Sequence, residues 1–301
     1  MTQIAKYVTQ YKDVRSVNTR SLLRFCALSG LAVMYKITNK MSSGLQRNRV
    51  QFLSLHHVFE NEEKSFRKLL RVLSEQHHFT SYSQAVHKIL TGNIDRPYVV
   101  LSFDDGLRAC LRAAQIMGEF GIKGCFFLIG SMVGEKRYQK TKAFCAERLH
   151  LPPVEFMSWD EVETLLKEGH EVGCHTMTHP DLTKLSVEQL EAEIQQSYDL
   201  LREKVGNIRH FAWPYGKFSR VTRTAVELVF QTGFESCAST HRGCHVTQCE
   251  KLDLCIRRDH TIAKWPTNHT LYFLAKNSQM ASVRKNGWPQ EWEIASAKTG
   301  C

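Results

Sequence analysis

From about residue 50 the chain alternates short apolar runs with segments of helical period, and its polar residues fall directly after the apolar runs. Residues 50–55 (VQFLSL) end at His56 and His57. Residues 98–103 (YVVLSF) run straight into Asp104, Asp105 and Gly106. Residues 124–129 form a further apolar run, residues 171–174 end at His175, and residues 210–213 precede Pro214, with later apolar segments at 235–238 and 252–257. Between them lie apolar-periodic stretches at 66–76 and 107–120, the second stopped by Gly121. Two more carry capping boxes, Ser158 with Glu161 and Ser186 with Gln189. Strand, loop and helix repeated in this order predict parallel βα units. Chemistry-bearing residues after the strands match the face on which a (β/α) barrel builds its active site. The expected fold class is therefore α/β, a distorted (β/α) barrel.

The 301 residues suffice for one large domain with appended ends. The expected division is an N-terminal extension over 1–45, a catalytic domain over 46–265 and a C-terminal extension over 266–301. The formal net charge is +10, which could attract an anionic polymer or a membrane face. The basic residues are interspersed with acidic ones on helices, as on solvated helix faces, so nucleic acid is not an expected partner. Ten cysteines show neither a CxxC pair nor zinc-finger spacing. Scattered thiols favour a reducing compartment and so a cytoplasmic location, with one disulfide among Cys237, Cys244, Cys249 and Cys255 left open.

Residues 25–35 (FCALSGLAVMY) are uncharged, with Arg15, Arg20 and Arg24 before them and Lys36 and Lys40 after. The run is shorter than the roughly 20 apolar residues that span a bilayer. It lacks a clear small-x-small cleavage site, which disfavours a secretion signal. A packing helix and a membrane-surface helix both remain open.

Three motifs carry chemistry. In Ser102–Phe103–Asp104–Asp105–Gly106 two adjacent carboxylates repel unless a cation or proton compensates. A divalent ion would take one as ligand and leave the other as base, whereas an Asp–Gly turn with a polar neighbour is the plain alternative. In His175–Thr176–Met177–Thr178–His179 the histidines are four apart and would share one face of a helical turn. With an Asp they complete an Asp-His-His set, and three protein ligands leave positions open for water and substrate. In Phe211–Ala212–Trp213–Pro214–Tyr215–Gly216, Pro and Gly shape a turn that could aim the Tyr215 N–H at a developing oxyanion.

Taken in order, SFDDG, HTMTH and FAWPYG resemble the successive motifs of the polysaccharide deacetylase (NodB-homology) family, carbohydrate esterase family 4. The resemblance covers roughly residues 50–260. It implies metal-assisted removal of acetyl groups from N-acetylated glycans, with O-acetyl ester cleavage or a non-catalytic glycan-binding role as alternatives. Carried over by position, Asp104 is the expected base, Asp105, His175 and His179 the metal ligands, and Tyr215 the oxyanion donor. Zinc is the expected ion, and cobalt, nickel or iron would suit the same ligands. The family's third motif often places an Arg two residues before the Pro to orient the base; here that position is Ala212. Arg258 is the candidate replacement, and it joins Trp213 and Pro214 among the residues expected at the substrate. His260 is the expected general acid, with Asp259 beside it as a neighbour that could keep it charged. His56 and His57 are reserve candidates.

Overall fold

The computed structural model describes residues 7–14, 19–281, 287–289 and 292. Parts of both expected extensions, residues 1–6, 15–18, 282–286, 290–291 and 293–301, lie outside the described residues.

Among the described residues the apolar runs form nine strands: β1 (Arg49–Leu55), β2 (His78–Phe79), β3 (Pro97–Phe103), β4 (Gly124–Leu128), β5 (Glu171–Cys174), β6 (His210–Ala212), β7 (Ser236–Ala238), β8 (Cys255–Ile256) and β9 (Arg258–His260). They pair in the order β8-β7-β6-β5-β4-β3-β1-β9, every pair parallel, and β2 adds to the start of β3. The two ends of this row, β8 and β9, are successive pieces of one segment interrupted at Arg257. One piece pairs with β7 and the other with β1. That segment draws the sheet into a nearly closed barrel, the expected architecture.

Strand alternation sorts the side chains into two sets. Phe52, Val100, Phe127, Ala212, Ala238 and Ile256 form one buried cluster together with Tyr82, Ala85, Val86 and Ile89 of helix Tyr82–Thr91. Leu53, Leu55, Leu101, Phe103, Phe126 and Leu128 belong to the larger cluster, shared with Phe66, Leu69, Leu70, Ile194 and other helix residues. The helices begin where their caps dictate. Ser81, Ser158 and Ser186 each accept the N–H three residues on, while Gln84, Glu161 and Gln189 return the bond.

Helix Thr267–Met280 lies outside β1 and β9 and covers an otherwise costly buried polar chain. Arg49 donates to Gln51, and Gln51 donates to Asp259 at 2.6 Å. Asn277 of the helix also donates to Asp259. Helices Thr19–Ile37 and Lys40–Gln46 pack on this helix in turn. Gly44 is required there, since a Cβ at that position would lie 2.6 Å from the Ala275 carbonyl oxygen. The disulfide left open among the later cysteines is not formed. Cys237 and Cys255 are register partners on β7 and β8, yet both are buried free thiols, pushed up by burial.

Candidate metal centre and catalytic cavity

The C-terminal ends of the strands open into a cavity of about 330 Å³ lined by Asp104, Asp105, His175, His179, Trp213, Tyr215 and His260 among others. Each motif reaches it from its own strand. Asp104 and Asp105 follow β3, His175 follows β5, and Trp213 to Tyr215 follow β6. Asp104, Asp105, His175 and His179 are 2%, 4%, 3% and 4% exposed, so their charges are screened little by water.

Asp105, His175 and His179 converge. Their ligand atoms lie within 4.8 Å of one another. The Nε2 atoms of His175 and His179 stand 3.4 and 3.5 Å from Asp105 Oδ1. Two donors each about 2.1 Å from a tetrahedral ion lie about 3.4 Å apart, so this spacing fits a divalent ion between them. The tautomer fits as well. His175 Nδ1 lies 2.6 Å from the Ala212 carbonyl oxygen, and a proton held there leaves Nε2 as a lone pair facing Asp105. Burial pushes the His179 imidazole down to about 3, which keeps that ring neutral as a ligand must be. With no ion between them a proton on His175 Nε2 bonds Asp105 instead. Burial would raise the carboxyl, but this bond and the charge of the surrounding histidines hold it below the usual range. Asp105 in turn pushes His175 up against its own burial, so an ion would displace that proton.

The histidines do not share a helical turn, as their spacing had suggested. Residues 175–180 form an irregular loop, with positive φ of 64° at Thr176 and 55° at His179. Glu193 holds it from below, accepting from the Met177 N–H at 3.0 Å and the Thr178 N–H at 2.8 Å. Thr176 Oγ1 accepts the His179 N–H at 3.0 Å. Asp105 and Tyr215 also have positive φ, 74° and 62°. Such conformations persist in non-glycine residues only where surroundings enforce them, and they cluster at functional sites.

Asp104 faces a different partner. Arg258 donates to both carboxylate oxygens, Nη1 to Oδ1 at 2.7 Å and Nη2 to Oδ2 at 3.0 Å, and Ser54 donates to Oδ2 at 3.2 Å. Burial would raise this carboxyl; Arg258, then His175 and His56, outweigh it and keep it below its ordinary value. Arg258, the candidate for the position held by Ala212, is thus the ion-pair partner of Asp104. Its expected place at the substrate is corrected: it is fully buried, its remaining donors go to Ser102 Oγ and the Ser239 carbonyl, and it does not line the cavity. Pro214 is likewise buried and does not line the cavity, whereas Trp213 does. We expect Arg258→Met to leave Asp104 as a buried charge without its counter-ion. That should cost about 3–5 kcal/mol of stability, measured as a lower denaturant midpoint with an unchanged slope.

Tyr215 packs its ring against His179 with centroids 4.8 Å apart, and its hydroxyl donates to the Arg148 carbonyl. Among the described residues no acceptor takes its N–H. Gly216 is forced to be glycine by φ of 63° and by Thr240, whose Cγ2 would lie 2.3 Å from an added Cβ. His260 reaches the cavity at the end of β9, edge-on to His56 with ring centroids 5.2 Å apart. Asp259 does not face it. Strand alternation turns Asp259 the other way, to Gln51, Arg242 and Asn277, and burial pushes its carboxyl up to about 6. His57 lines the cavity too, but its Nδ1 is engaged 3.0 Å from Glu62.

Sequence reasoning missed part of the wall. Tyr11 and Val14 come from the N-terminal segment, Arg148 and Leu149 from the π-helical stretch Cys145–Leu149 that continues helix Tyr138–Phe144, and His150 and Leu151 from just after it. Neither segment follows a strand, so the pattern that located the motifs carried no signal for them.

The polysaccharide deacetylase family model matches residues 91–234, spanning all three motifs. Over those residues the chain is similar to the polysaccharide deacetylase family. A chitooligosaccharide deacetylase of Sinorhizobium fredii is 28% identical over 127 residues, 41% of this chain and 49% of that protein. An uncharacterised 30.6 kDa protein of Geobacillus stearothermophilus is 38% identical over 117 residues, 38% of this chain and 36% of that protein. The chain thus matches about half or less of the length of these relatives. The fold matches IcaB from Ammonifex degensii, with a TM-score of 0.61 at 22% identity over 76% of this chain and 98% of the other. It also matches BC0361, a polysaccharide deacetylase from Bacillus cereus, with a TM-score of 0.61 at 16% identity over 76% and 69%. Arg258, His260 and His56 lie outside the segment matched by the family model.

Proposed function

We propose that this polysaccharide deacetylase homologue is a metal-dependent hydrolase that removes acetyl groups from N-acetylated sugars of a poly- or oligosaccharide. The observation that carries the reading is the division of labour between adjacent carboxylates. Asp105 converges with two imidazoles at ion-sized spacing, while Asp104 is held apart and ionised by Arg258. A divalent ion on Asp105, His175 and His179, zinc by ligand type, supplies Lewis acidity toward the acetyl carbonyl and makes water a better nucleophile at neutral pH.

Asp104 takes the proton from the attacking water, and Arg258 with Ser54 fixes the direction in which its carboxylate points. The Tyr215 N–H faces the charge that develops on the acetyl oxygen. His260, with His56 beside it, gives a proton to the departing amine. Trp213, fully buried against Phe218, backs the cavity wall from behind and offers no face to the sugar ring. The products are acetate and a free amino sugar.

The test is acetate release from a panel of N-acetylated oligosaccharides, including chitooligosaccharides, by metal-stripped and zinc-restored protein. Release that disappears on stripping and returns with the ion is the expected result. No release from any N-acetylated glycan by zinc-loaded protein, with release from O-acetylated sugars, would move the activity to the ester class.

A further inference from the structure

We propose that helix Thr19–Ile37 is a docking surface for an anionic lipid bilayer, lying in the plane of the headgroups. Its outward side carries Leu22, Leu23, Cys26, Gly30, Val33, Met34 and Ile37, all exposed. Leu23 is 67% and Ile37 81% exposed, which is high for large apolar side chains. At 100° per residue these seven positions fall within about 120° of the helix surface and form one continuous stripe. Contiguous apolar stripes of this kind mark interaction sites.

Charge identifies the occupant. From Val14 to Phe59 the chain has no Asp or Glu, and its exposed cations there include Arg20, Arg24, Lys36 and Lys40. On the helical projection Arg20 flanks one edge of the stripe and Lys36 the other. An apolar stripe edged by cations suits acyl chains below and anionic headgroups beside it. A second copy of the chain would instead bring these like charges together.

Outside the stripe the helix is partly committed to protein. Ser29 Oγ lies 2.9 Å from His269 Nε2, Phe25 packs edge-on to His269, and Tyr35 packs edge-on to Tyr272. A helix packed in this way cannot be surrounded by lipid. Among the described residues no single helix is long and apolar enough to cross a membrane, and helices Thr19–Ile37 and Lys40–Gln46 meet at a bend of 81°. Arg24 stacks on Trp265, whose ring is edge-on to His260 at the cavity. The docked helix therefore holds the cavity close to the lipid surface.

The experiment is flotation of the full chain with vesicles of phosphatidylcholine alone and of phosphatidylcholine with 30% phosphatidylglycerol. Binding is expected only to the anionic vesicles, and it should weaken as salt rises. Leu23→Glu with Ile37→Glu should abolish it. Because both positions are exposed, the thermal unfolding midpoint should hold. Arg20→Gln with Lys36→Gln, which leaves the apolar stripe intact, should weaken it about thirtyfold, from two cations at the headgroups. Absence of vesicle binding, unchanged binding by both variants, or a solution dimer that Leu23→Glu with Ile37→Glu dissociates would each overturn the proposal. So would binding that resists both high salt and alkaline extraction, since that behaviour belongs to a spanning segment.

Discussion

Replacing His175 and His179 together by alanine should leave a folded protein that no longer retains a divalent ion. The two Nε2 atoms and Asp105 Oδ1 form the only Asp-His-His grouping of ion-binding spacing among the described residues. Loss of a supporting outer partner alone typically costs about 10–100-fold in metal affinity, and loss of two of three protein ligands should cost more. Elemental analysis after chelation, zinc restoration and dialysis reads this directly. Thermal stability gives a second readout independent of turnover. An ion present at about 100 times its dissociation constant stabilises the native state by about 2.7 kcal/mol. The parent chain should gain in melting temperature on zinc addition, and the double variant should not. His175→Ala alone should show an intermediate loss, because Asp105 and His179 still face each other at 3.5 Å. Full occupancy in the double variant would place the ion elsewhere and remove the basis of the proposed chemistry.

The sequence was most legible where chemistry and periodicity coincide. Strands such as β3 and β5 are short apolar runs whose ends are marked by Asp104 and His175, and capping boxes at Ser158 and Ser186 fixed two helix starts. Spacing was a weaker guide to local conformation. The four-residue interval between His175 and His179 reads as one helical turn, but the loop is set by Glu193 and by positive φ at Thr176 and His179. Glu193 stands in the following helix, and no local pattern links it to the loop. The Arg258–Asp104 pair joins residues 154 positions apart. It follows from the closing segment 255–260 bridging β7 and β1, which is a property of topology rather than of any local motif. Tyr11 and Arg148 reach the cavity by tertiary packing, which leaves no period to read.

Asp104→Asn should lower turnover by about 10²–10⁴, the usual cost of removing a general base, while metal content stays at the parent level. Asparagine has nearly the same shape and can still accept one bond from Arg258, but its amide cannot take a proton from water at neutral pH. The ligand set is untouched, because Asp104 belongs to the Arg258–Ser54 network and not to the Asp105 grouping. The substitution also leaves the Arg258 guanidinium buried beside a neutral group, so part of any loss could reflect stability. A second substitution separates the two effects. Adding Arg258→Met to Asp104→Asn removes the stranded cation, and contacting residues are expected to be non-additive. Replacing a whole buried ion pair is often far less costly than breaking it. The double variant should therefore be more stable than Arg258→Met alone yet remain as inactive as Asp104→Asn. Recovery of stability without recovery of turnover would assign the lost rate to the carboxylate itself. Near-native turnover in a folded, zinc-loaded Asp104→Asn protein would take the base away from this position and leave Asp104 as the structural partner of Arg258.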